Sequence, residues 1–275
     1  MSRVTVVVDN QPGAAGLLHE WGLSLWIEHQ GHNLLLDTGG GAALLPNLKA
    51  LGLAPDLVEA VILSHGHWDH SGGLAELLKT IGPRPIWCHP AAFEMHLKRE
   101  ADGSYQDVGL PLGGRAAYED LGAQFNLVTE HVEPWPGVHL IAPVPRITAF
   151  EGPAPNLFTQ LGPSHLPDPL EDDLLVVLET PGGLVAITGC AHSGVVNLLL
   201  AVQDILGHSP AWLVGGLHLD LSTEIQQKGV LDHLGLLREL RLATGHCTGE
   251  RASGMLTQIM QTRHVNLYTG LSLEL

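Results

Sequence analysis

A chain of 275 residues with 45% hydrophobic and 15% charged side chains can bury a sizeable core, which excludes a disordered chain or a coiled coil. Its formal net charge of −16 argues against a nucleic-acid partner, because phosphate binding needs clustered Lys and Arg. The three cysteines, Cys88, Cys190 and Cys247, form no CxxC pair, and an odd count suits a reducing cytosol better than a disulfide framework.

The apolar stretch before Asp9 is too short for a signal peptide, and no run approaches the ~18 apolar residues of a membrane span. The expectation is a soluble, cytoplasmic protein with no membrane partner. Val4 to Val8 reads as a β-branched strand bounded by Asp9-Asn10. Leu23 to Glu28 and Asn33 to Leu36 flank Gln30-Gly31-His32 and suggest a hairpin. A helix follows over Ala42 to Leu51, a strand over Leu57 to Leu63 and a helix over Leu74 to Lys79. Pro85 to Cys88 reads as a strand and Ala91 to Arg99 as a helix. Strands are expected near Gln124 to Thr129 and Val138 to Ala142. From Ala142 to Asp172 the chain carries seven prolines and little periodicity, the pattern of either a long functional loop or elements that periodicity does not reveal. Leu174 to Glu179 and Leu184 to Thr188, joined at Pro181-Gly182-Gly183, form a second hairpin. Helices over Val195 to Leu206, Thr223 to Leu240 and Arg251 to Met260 then alternate with strands Ala211 to Val214, Arg241 to Ala243 and Val265 to Tyr268. Strand-rich halves that each end in strand–helix alternation indicate a layered α/β sandwich. No linker or repeat divides residues 1–275, so a single domain is expected.

The strand ending at Leu63 runs into Ser64-His65-Gly66-His67-Trp68-Asp69-His70. Three imidazoles and a carboxylate within six positions would be awkward in a dry core. As metal ligands all four have a use, since zinc and iron take imidazole nitrogen and carboxylate oxygen readily. His65 and His67, two apart, can grip one ion from the same side of the loop. Asp69 and His70 can reach a second. Gly66, Gly72 and Gly73 permit a tight backbone path.

This segment resembles the signature of the metallo-β-lactamase fold superfamily. The resemblance implies a four-layer αββα sandwich with two divalent metal ions in a cleft at the sheet edges. Zinc is the first expectation for those ions, with iron or manganese as alternatives. Leu35-Leu36-Asp37-Thr38-Gly39 matches the superfamily's strand and turn, and implies that Asp37 supports the metal loop by hydrogen bonds. The resemblance further implies His192 as third ligand of the first metal and His246 as completing the second. A narrower likeness rests on Thr188-Gly189-Cys190-Ala191-His192, Asp172-Asp173, Gly215-Gly216-Leu217-His218-Leu219 and Gly245-His246-Cys247-Thr248-Gly249. These are similar to the branch that includes the dihydropterin–ribofuranosylaminobenzene phosphate synthase of the methanopterin pathway.

One departure stands out. Most hydrolases of the superfamily place an Asp that bridges both metals where this chain has Cys190. A thiolate there is either a metal ligand of different character or a small buried Cys at a strand end. Asp172 and Asp173 occupy the place of a usual His, and read either as metal or substrate ligands or as a solvated pair. His218 either lines the cleft, with Asp69 as a catalytic group, or is an ordinary strand-end His. Arg146, in a chain with 13 Lys and Arg, either holds a phosphate or is a solvated loop Arg.

Two metals ~3.5–4 Å apart can lower the pKa of bound water toward ~7, or clamp a diphosphate leaving group. The expected function is therefore a binuclear metalloenzyme acting on a small anionic, phosphorylated substrate. It would work by hydrolysis or by the diphosphate displacement of dihydropterin–arylamine condensation. The alternative is a non-catalytic iron-binding or redox module. A homo-oligomer is left open.

Overall fold

The computed structural model describes residues 2–275. One seven-stranded sheet runs, edge to edge, Ser272–Glu274, Ser2–Val8, Ser24–His29, His32–Leu36, Ala60–Ile62, Arg84–Cys88 and Ala123–Leu127. The other runs His264–Asn266, Arg241–Gly245, Trp212–Gly216, Gly183–Thr188, Leu175–Thr180, Val138–Ile141 and Val132–Trp135. Strand alternation decides how they stack, because successive side chains point to opposite faces. Leu34 and Leu36 turn inward while Leu35 turns outward. Val176 and Leu178 turn inward while Leu175 and Val177 turn outward. The inward sets of both sheets meet in one fully buried apolar layer.

Each outward set is covered by helices. Leu44–Ala50 and Leu74–Ile81 lay Leu44, Leu48, Leu74, Leu77 and Leu78 on the first sheet. Val195–Leu206, Glu224–Leu236 and Glu250–Met260 cover the second. Thr223 starts the middle helix with a reciprocal capping box to Gln226. This is the αββα order of layers. Among the described residues no helix is long and apolar enough to cross a membrane.

Three expectations are corrected. Ala91 to Arg99 is not a helix: Pro90–Phe93 makes one 3-10 turn and Leu97–Arg99 is a strand. The helix-forming side chains are overridden by pairing, since Leu97 and Lys98 lie between Tyr105–Asp107 and Leu157–Leu161. The segment from 142 to 172 is also not structureless. Leu157–Leu161 and Ser164–Pro167 form a hairpin that completes a small four-stranded sheet with Leu97–Arg99 and Tyr105–Asp107. The helix expected from Thr223 to Leu240 stops at Leu236.

Both large sheets contain a parallel block: His32–Leu36 with Ala60–Ile62 and its neighbours, and Gly183–Thr188 with Trp212–Gly216 and Arg241–Gly245. Asp37, the Ser64–His70 loop, Cys190, His192, His218 and His246 all follow the carboxyl ends of these strands. That end of a parallel sheet is where ligands bind in open α/β folds.

Packing predicts two mutational outcomes. Ile187→Ala, fully buried between the sheets, should lower unfolding free energy by about 2–5 kcal/mol in urea denaturation. Ile225→Ala, 76% exposed, should change it by no more than about 0.5 kcal/mol.

Candidate metal centre

The centre is built outward from Asp37, which is fully buried. One of its oxygens accepts from the Ser64 amide at 2.7 Å. The other accepts from Ser64 Oγ at 2.6 Å and from His70 Nδ1 at 2.7 Å. The Ser64 hydroxyl proton is thereby committed, so its oxygen accepts from His65 Nδ1 at 2.9 Å. These bonds leave His65 Nε2 and His70 Nε2 facing inward. Asn10 does the same for the third loop: its Oδ1 accepts from His246 Nδ1 at 3.0 Å and leaves Nε2 inward. Asp9 Oδ2 accepts from the His246 amide.

Two donor sets result. Ligand atoms of His65, Cys190 and His192 lie within 4.8 Å of one another, and so do those of His70, Cys190 and His246. Cys190 belongs to both. His67 adjoins the first set, with Nδ1 3.0 Å from His65 Nε2 and its ring centroid 4.9 Å from that of His192. Asp69 adjoins the second, with Oδ2 3.4 Å from His246 Nε2 and 4.0 Å from His70 Nε2. His70 Nε2 is 3.0 Å from His246 Nε2 and 3.1 Å from Cys190 Sγ.

These spacings fit cations. Nitrogens about 2.0–2.1 Å from a tetrahedral zinc lie about 3.3 Å apart. Among the described residues, His67 Nε2 and both ring nitrogens of His192 are buried without a hydrogen-bond partner. Burial pushes the His65 and His192 imidazoles well below their ordinary value and His67 down to about 3, so these rings are neutral and present lone pairs. Burial also lowers His246, against the pull of Asp69. His70 is different. Burial lowers it, but Asp37 and Asp69 outweigh burial and raise it. Burial would raise Asp69, yet His70 and His246 hold it ionised. Burial raises the Cys190 thiol well above its usual range, with Cys247 adding to the effect. A coordinating cation reverses that, because a bound thiol is deprotonated outright. Five of the seven donors are therefore already in the form that binds a cation, and the Cys190 thiol must lose a proton to join them. At His70 Nε2 a cation competes with a proton.

Close packing and strain hold the loops in place. A Cβ on Gly66 would lie 2.2 Å from the Ala92 carbonyl oxygen, and one on Gly189 would lie 2.0 Å from Ser64 Oγ. The glycine at 66 thus serves close approach rather than an unusual φ. Asp37, Ala191, His218 and His246 all have φ between 47° and 59°, a conformation that costs non-glycine residues about 1–3 kcal/mol each and clusters at functional sites.

The remaining candidates divide. Asp172 and Asp173 are fully buried, which removes the solvated-pair reading. Asp172 accepts from the Gly66 amide at 2.7 Å and Asp173 from the Ser193 amide at 2.6 Å. They clasp the two donor-bearing loops from behind, and burial raises Asp173 to about 6. His218 is half-buried, its ring centroid 4.3 Å from that of His192. Arg146 does not hold out a phosphate-binding fork. Its guanidinium donates to the backbone carbonyls of His192, Pro169 and Leu170 and ties the Pro-rich segment to the centre.

His96 escaped the sequence reading. It is buried behind His67, ring centroids 5.2 Å apart, with Nδ1 donating to Asp168 at 2.7 Å. Its position follows from the small sheet that the Ala91 to Arg99 helix expectation hid. Asn10 was read as a strand stop, and nothing local marks it as a partner of a residue 236 positions away.

Two outcomes follow. His65→Ala with His67→Ala should lower the metal content of purified protein by elemental analysis while Cys190 and His246 remain. Asp37→Asn should weaken metal binding by about 10–100-fold in competition with a chelator, as loss of such orienting partners does.

Comparison with known proteins agrees with this geometry. The pattern of the metallo-beta-lactamase superfamily matches residues 22–246. The 7,8-dihydropterin-6-methyl-4-(β-D-ribofuranosyl)-aminobenzene-5'-phosphate synthase of Methanocaldococcus jannaschii is 27% identical over 262 residues, 90% of this chain and 88% of that protein. An uncharacterised protein of the same organism is 23% identical over 261 residues, 93% of this chain and 94% of its own. The crystal structure of Tm1679, a metal-dependent hydrolase of the beta-lactamase superfamily, superposes with a TM-score of 0.86 at 26% identity, covering 100% of this chain and 99% of that one. A match over residues 22–246, with the Ser64–His70 loop and its partners gathered at the sheet edges, makes this chain a member of the metallo-beta-lactamase superfamily.

Proposed function

We propose that the chain is a metal-dependent enzyme for a small phosphorylated substrate, in which an arylamine displaces diphosphate from a heterocyclic methyl diphosphate. The observation that carries this reading is Cys190, the one residue common to both donor sets. A thiolate gives more charge to a cation than a carboxylate does. It leaves less Lewis acidity for activating water and still enough to hold phosphate oxygens. The near full-length similarity to a dihydropterin–arylamine synthase points the same way.

His65, His67 and His192 with Cys190 would hold one ion, and Asp69, His70 and His246 with Cys190 the other. When bound, the ions supply charge neutralisation on the diphosphate. The protein supplies the rest. Asp37, Asn10, Asp172 and Asp173 fix the loops, so the donors need no rearrangement to act. Burial lowers His218 to about 4, which keeps its imidazole neutral at pH 7. Its ring makes no hydrogen bond to another described residue, so a ring nitrogen can accept the proton the arylamine loses.

In the test, diphosphate release from a 7,8-dihydropterin-6-methyl diphosphate is followed with and without an arylamine. Release should depend on the amine and match it in stoichiometry. Equal release without amine would make the chain a hydrolase, and no release with metal-replete protein would remove the proposal. His218→Ala should lower turnover by about 10²–10⁴-fold with metal content unchanged.

A further inference from the structure

Two hollows meet the donor sets. A narrow slot of about 40 Å³ touches His192 and His218. A cleft of about 900 Å³ touches His246. The segment from Leu217 to Ser222 lies between them: Leu219 and Leu221 face the slot, and Asp220 faces the cleft. The cleft is within the size range of small-molecule sites, and the slot is far below it.

The cleft is lined by two aromatic rings that the fold leaves open, Trp21 at 52% and Tyr268 at 42% exposure. Trp21 lies against the metal centre, its ring 5.4 Å from that of His246. An indole in that place offers a stacking face next to the reacting groups. The charged side chains of the cleft are Asp220, Glu250 and Arg251, and none forms an ion pair among the described residues. Asp220 lies two residues after His218, packed on Gly249 at the start of the Glu250–Met260 helix. Its carboxylate accepts no hydrogen bond from any described residue, so both oxygens are free. A free carboxylate in the same cleft as exposed aromatic rings matches a flat ring whose edge carries two neighbouring N–H donors, as in a 2-amino-pyrimidinone.

We infer that the cleft is the heterocycle subsite, with Trp21 stacking on the ring and Asp220 accepting from its amino–amidine edge. The inference rests on the proposed function for the identity of the ring, and assigns to these two residues the choice of substrate.

Binding of pterin and of lumazine, which carries an oxo group where pterin has the 2-amino group, is measured by calorimetry on metal-loaded protein. Wild type should bind pterin at least 10-fold more tightly than lumazine. Asp220→Asn should abolish that preference, and Trp21→Ala should weaken both ligands about 10-fold or more. Far-ultraviolet dichroism and metal content of each variant should match wild type, because both side chains are exposed. Equal binding of the two ligands to wild type, unchanged binding in both variants, or no pterin binding at millimolar concentration would each overturn the assignment. The proposed function fails separately: protein that binds pterin in this residue-dependent way yet releases no diphosphate keeps the subsite and loses the reaction. Amine-dependent release unaffected in KM by either variant keeps the reaction and loses the subsite.

Discussion

Two imidazole nitrogens from distant parts of the chain, His70 Nε2 and His246 Nε2, point at each other across 3.0 Å. Their other nitrogens already donate to Asp37 and Asn10. Such a pair needs a positive centre between or beside it. A proton on His70 answers that need when no metal is present, and Asp37 and Asp69 make that proton easy to hold. The first donor set has no such resort. A neutral ring has one proton, and His192 has no partner for either nitrogen. Buried polar atoms left unpaired cost about 1–3 kcal/mol each. A cation at this set would satisfy those nitrogens.

The fold exists to hold that arrangement. Parallel strands in both sheets deliver their carboxyl ends to one edge, and the loops leaving those ends carry every donor. The buried layer between the sheets fixes the distance between the two halves of the site. Backbone strain at Asp37, Ala191, His218 and His246 is opposed by hydrogen bonds at each residue. Asp172 and Asp173 join the halves again from below by holding an amide in each loop.

Much of this was legible in the chain itself, and the reasons differ by residue. The Ser64–His70 loop is a local signal, because its ligands are crowded into a few positions after a strand. The two hairpins and the strand–helix alternation were legible from period alone. Cys190 was conspicuous as a departure from a pattern, but whether it is shared by two donor sets depends on the distance between sheets, which no local pattern encodes. His96 and Asn10 were invisible for the same reason. Arg146 was open between a phosphate ligand and a solvated loop Arg, and its donors to three backbone carbonyls depend on loops that no local pattern brings together. The helix expected over Ala91 to Arg99 failed because strand pairing outweighs a weak propensity.

X-ray absorption at the K edge of the bound metal tests the central claim most directly, since sulfur and nitrogen scatterers are separated by distance. The account predicts a sulfur shell near ~2.3 Å beside nitrogen or oxygen near ~2.0–2.1 Å, with the sulfur shell absent in Cys190→Ser. Metal bound with no sulfur neighbour in the unaltered protein, or a sulfur shell that survives Cys190→Ser, would contradict it.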